Sequence, residues 1–197
     1  MARTGPVTKD TTTVALGLAQ IRVGASAANI TSINPVLTSS DSIGALANTK
    51  FTSNIDYYKL ESGRPLIEDA VFPLREKAML ECAFKEITPM NIAFARGIDA
   101  TSGYTEAHSG EVALGNIEAP AFVRMEAFYT YPDAVNEMVI IFPRANVVSN
   151  VEVDMQSEEP ASVPITFEAK NADSSVSGGN AVWDSKPLGR FLWRPKP

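Results

Sequence analysis

Alternation with a period of two recurs along this chain and confines its fold more than any other property. Val151, Val153 and Met155 alternate with Glu152, Asp154 and Gln156. Successive side chains of a strand point to opposite faces, so this run predicts a strand with one apolar and one acidic face. Phe142-Pro143-Arg144-Ala145 precedes it and Phe167-Glu168-Ala169 follows it, which extends the pattern to strand, turn and strand.

The same period appears elsewhere. Val14, Leu16 and Leu18 alternate, then the phase slips to Ile21 and Val23, as a bulge would cause. Residues 55–74 read as two short strands around Ser62-Gly63-Arg64-Pro65, a turn in which proline forbids a ladder donor. Ala78, Leu80, Cys82 and Phe84 share one face of a strand over 75–87. Further strands are predicted near 111–114, 119–131, 163–170 and 188–193. Glu137-Met138-Val139-Ile140-Ile141-Phe142 is apolar on both faces and requires cover on both sides.

One helix is predicted, over 88–97. Thr88 suits the N-cap, Pro89 the first helical position and Gly97 the left-handed residue past the end. Residues 25–54 have neither period; their spaced Ile30, Ile33, Leu37 and Ile43 suggest a loop or hairpin arm that orders against a neighbour. Roughly eight or nine short strands with one flanking helix define a mostly β, two-sheet sandwich or barrel.

The chain has 197 residues, enough for one sizeable core, and it is read as a single domain over 1–197 with 25–54 as an extended inter-subunit arm. Its net charge of -6 argues against a binder that neutralises phosphate, while leaving room for a surface that DNA touches without sticking. A single cysteine, Cys82, excludes an intramolecular disulfide and reads as a buried, inert thiol. Residues 1–13 lack the apolar segment of a secretory leader, so synthesis and retention in a cytoplasm are expected. No apolar run reaches the ~18 residues that span a bilayer.

The inventory for chemistry is thin. His108 is the only histidine; Ser102 or Ser109 with Asp99 could surround it, yet nothing resembles a nucleophile elbow. One His and one Cys cannot build an imidazole or thiolate metal site. Glu158-Glu159 and the acidic strand face read as solvated carboxylates. Ser177-Gly178-Gly179 lacks the lysine and following helix of a phosphate loop. The expectation is a protein with no enzymatic activity, no cofactor and no metal.

Several phrases occur in a telling order: Leu60-Glu61-Ser62-Gly63-Arg64-Pro65-Leu66, Ala70-Val71-Phe72-Pro73-Leu74-Arg75-Glu76 and Phe84-Lys85-Glu86-Ile87-Thr88-Pro89. Ile141-Phe142-Pro143-Arg144-Ala145, Val163-Pro164-Ile165-Thr166-Phe167-Glu168-Ala169 and the closing Pro187-Leu188-Gly189 continue it. Together, over about 55–193, they resemble the tail tube (major tail) proteins of tailed bacteriophages. Residues 25–54 and 98–118 carry none of the likeness.

The resemblance implies a virion protein of the viral tail, assembled in the host cytoplasm. Homohexameric rings stack into a tube, subunit sheets join edge to edge, and DNA passes through the lumen during ejection. Implied partners are other copies of the chain, a tail terminator, baseplate or tail-tip and tape measure proteins, and for some tails a sheath, with no membrane. Head-to-tail contacts that close give rings, and stacking continues them into filaments. Within this reading Glu152, Asp154 and Glu158 are the candidates for an acidic lumen wall that repels phosphate. Ile30, Ile33, Leu37 and Ile43 are the candidate anchors of the inter-ring arm. Competing readings are a type VI secretion-like tube component, a soluble carbohydrate-binding β-sandwich with exposed aromatics on one face, and a hydrolase using His108.

Overall fold

The computed structural model describes residues 17, 19–63, 67–97, 110–112, 114–115, 119–148, 151–153 and 161–197. Among these residues seven strands form: β1 (Gln20–Ala25), β2 (Leu46–Ser62), β3 (Ile67–Phe84), β4 (Val123–Thr130), β5 (Asn136–Val147), β6 (Val163–Ala169) and β7 (Arg190–Pro195). Two helices accompany them, α1 (Ser26–Asn29) and α2 (Pro89–Ala95).

The mostly β expectation holds, but the two-sheet sandwich or barrel is corrected to a single antiparallel sheet that does not close. The order is β1-β4-β5-β6-β3-β2, with β7 also paired to β5. The physical reason lies in β5, which serves both would-be sheets. Along one edge its residues 136–141 pair with β7, while 145–147 pair with β6. From that fork the β6–β3–β2 branch turns over the rest of the sheet. Leu80, Cys82 and Phe84 of β3 thereby share one core cluster with Met125, Ala127 and Phe142 of β4 and β5.

A second cluster covers the opposite face of β4 and β5, formed by Ile30, Phe128, Val139, Ile141, Ala172 and Trp183. Burial on both sides of β5 is what its doubly apolar sequence requires, and Val139, Ile141 and Phe142 are almost completely enclosed. Gly189 is needed where β7 begins. Its φ is +127°, and a Cβ there would sit 2.0 Å from the Ile141 carbonyl oxygen.

Helix α2 follows its local chemistry. The Thr88 hydroxyl accepts a hydrogen bond from the Asn91 backbone N–H, Pro89 is the first helical residue, and Gly97 has φ 72°. At seven residues it depends on packing, and Ala93, Phe94 and Ala95 are buried.

Other strand boundaries differ from expectation. The two short strands of 55–74 are the outer halves of β2 and β3, each far longer than predicted. Residues 111–112 and 114 are not in a strand. Val151 and Val153 pack on the core and Glu152 is exposed, so the alternation holds there without ladder pairing. Leu18 lies outside the described residues, while Ile21 and Val23 of β1 are buried as their phase predicts.

Candidate assembly surface

The longest feature of the molecule is the β2–β3 hairpin, paired from Leu46↔Phe84 to Ser62↔Ile67. β6 covers β3 only through residues 79–84. Beyond that, a two-stranded ribbon continues outward. At about 3.3 Å per residue, Ile55 to Ser62 carries its end roughly 25 Å further.

Regular alternation along β2 assigns its faces. Ile55 and Tyr57 continue the core-facing side of Phe51, while Tyr58 and Leu60 point the other way. On β3 the register shifts leave Leu74 and Asp69 as the extra, unpaired residues of two bulges. Tyr58 is opposite Phe72 and Leu60 opposite Ala70 on the outer face, with Tyr57 opposite Pro73 on the inner one. The distal ribbon therefore exposes apolar side chains on both faces, interspersed with Lys59, Glu61 and Glu68 on the inner face and Asp56 and Arg75 on the outer one. All of Ile55, Tyr57, Tyr58, Leu60, Ile67, Val71, Phe72 and Leu74 are exposed, Leu74 at 67% and Ile67 at 63%.

Polar contacts do not account for this ribbon. Its cross-strand ion pairs, Lys59–Glu68 at 2.7 Å and Arg75–Asp56, are solvent-exposed. Pairs of that kind contribute about 0–1 kcal/mol. A two-stranded ribbon in water is marginal by itself. Eight exposed large apolar side chains on one ribbon make it a candidate site of association.

Sheet edges add to the surface. Among the described residues β2 and β7 each pair on one side only, while the outer side of β1 is bridged by Ser42. Beside β7 an aromatic chain runs out from the core at Phe142. The ring centroids of Phe142 and Phe51 are 6.3 Å apart, Phe51 meets Phe191 edge-on at 4.8 Å, and Phe191 stacks on Trp193 at 5.9 Å. The Trp193 indole N–H donates to the Tyr131 hydroxyl at 3.0 Å, and Tyr131 lies edge-on to Tyr129 at 5.3 Å.

The predicted arm of 25–54 is placed differently. Its first part folds back onto its own sheet, through α1, a 3-10 turn at Ser39–Asp41 and a bridge between Arg22 and Ser42, before β2 begins. Ile30, Leu37 and Ile43 are buried in the chain's own interior and Ile33 packs against the Trp183 cluster. These four side chains serve the protein's own core, which corrects their expected role as anchors reaching a neighbour.

Their position is fixed by a buried ion pair. Arg124 Nε donates to Glu126 Oε1 at 2.7 Å, with both side chains inaccessible. The Arg124 guanidinium also donates to the carbonyls of Asn29, Ser32 and Asn34, and Glu126 accepts from the N–H groups of Val36 and Leu37. Burial lowers the Arg124 pKa, and the Glu126 carboxylate opposes that shift. Trp183 completes the clamp by donating to the Ile30 carbonyl at 2.7 Å.

Of the acidic candidates, Glu152 is exposed, and Asp154 and Glu158 lie outside the described residues, as does His108. Among the described residues no group of three or more His, Cys, Asp or Glu could hold a metal ion, and no helix is long and apolar enough to cross a membrane. Cys82 is buried on β3, and desolvation pushes its thiol up to about 12. Sequence reasoning missed the hairpin as an association surface. The signal was present in Tyr57-Tyr58 and Val71-Phe72, adjacent pairs that put an apolar residue on each face.

A scan against protein-family models finds no match, and no curated protein matches the chain. Among solved structures, the cap that terminates the tube of the anti-feeding prophage, determined by cryo-electron microscopy, is similar with a TM-score of 0.43 and 11% identity. That alignment covers 100% of this chain and 95% of the cap. A likeness of this degree carries no functional argument.

Proposed function

We propose that the chain is a structural subunit of a phage tail tube, in which hexameric rings stack into a conduit for DNA. The observation that carries the assembly part of this reading is the distal β2–β3 ribbon, which exposes Ile55 and Tyr57 on one face and Tyr58, Leu60 and Phe72 on the other. A monomer leaves it solvated; neighbouring copies bury it. The unpaired sides of β2 and β7 among the described residues offer places where one copy's sheet continues into the next. The tube-specific part draws on the ordered phrases of residues 55–193, which resemble tail tube proteins.

The role is mechanical rather than enzymatic. A net charge of -6 suits a channel that DNA slides through, because an acidic wall repels phosphate and a basic one would hold it. Exposed Glu152 is the described residue of the proposed lumen set, with Asp154 and Glu158 beside it in sequence. A terminator, a tail tip or baseplate, a tape measure protein and, in a contractile tail, a sheath are the proposed partners.

A second reading, carbohydrate binding, draws on the exposed aromatics Phe191 and Trp193. It leaves the exposed apolar side chains of the ribbon unexplained. Sedimentation and negative-stain electron microscopy of the concentrated protein separate the two. Rings or tubes are expected; a persistent monomer that retains on immobilised glycans would support the second reading against the first.

A further inference from the structure

We draw no further inference here: the strongest candidate, the apolar hollow between Phe51 of β2 and Phe191 of β7, carries nothing, because nothing in the structure shows what covers it.

Discussion

Arg124 and Glu126 show how one side-chain pair positions a whole segment. They lie two apart on β4, so both face the same side, and that side would meet water if the 29–37 segment did not cover it. Arg124→Ala strands the Glu126 carboxylate in the interior and is expected to cost about 3–5 kcal/mol in chemical denaturation. The strand expected near 119–131 already puts Arg124 and Glu126 on one face. Their cover was not legible, because side chain to backbone bonds impose no period on the residues of 25–54. That segment therefore read as a reaching arm, though its aliphatics were core. Cys82 makes a separate prediction. Its pKa is raised from 9.0 to about 12 in the folded chain, so between those values the unfolded chain has lost a proton that the folded one keeps. Stability then falls as pH rises, by about 1.4 kcal/mol per unit from this group. Urea unfolding at pH 8 and pH 10 should show a steeper loss for the native chain than for Cys82→Ala; parallel losses would contradict the assignment.

At the scale of elements, local chemistry was readable and long-range pairing was not. α2 was legible because Thr88, Pro89 and Gly97 each have a fixed place in a helix, and Thr88→Ala should lower stability by about 1 kcal/mol by thermal denaturation. The turn between β4 and β5 contains Ala134 at φ 56°, a left-handed conformation that costs an L-residue free energy. Ala134→Gly is expected to raise stability by roughly 0.5–1 kcal/mol, unlike most glycine substitutions. The hairpin was half legible. Its turn at 62–65 was marked by Gly63 and Pro65, but the bulges at Leu74 and Asp69 break the alternation into short pieces, so one long ribbon read as several strands. Replacing 56–73 by a two-residue glycine turn should leave the melting temperature within a few degrees, because this part touches none of the core, while abolishing assembly.

For the whole molecule, β5 decides the architecture. Its length lets one strand serve β6 and β7 on the same edge, which no alternation pattern announces, and so a sandwich was expected where one folded sheet exists. Among the described residues, nothing covers the ribbon beyond β6. The proposed channel makes a prediction at this scale. Glu152→Lys with Asp154→Lys should still permit tubes but impair DNA delivery, measured as genome ejected per assembled particle; normal delivery would remove these acids from the lumen. The central claim, that neighbouring copies bury the distal hairpin, is tested most directly by amide hydrogen exchange of residues 55–74 in isolated and in assembled protein. The account predicts rapid exchange in the isolated chain and strong protection after assembly, and equal exchange in the two states would contradict it.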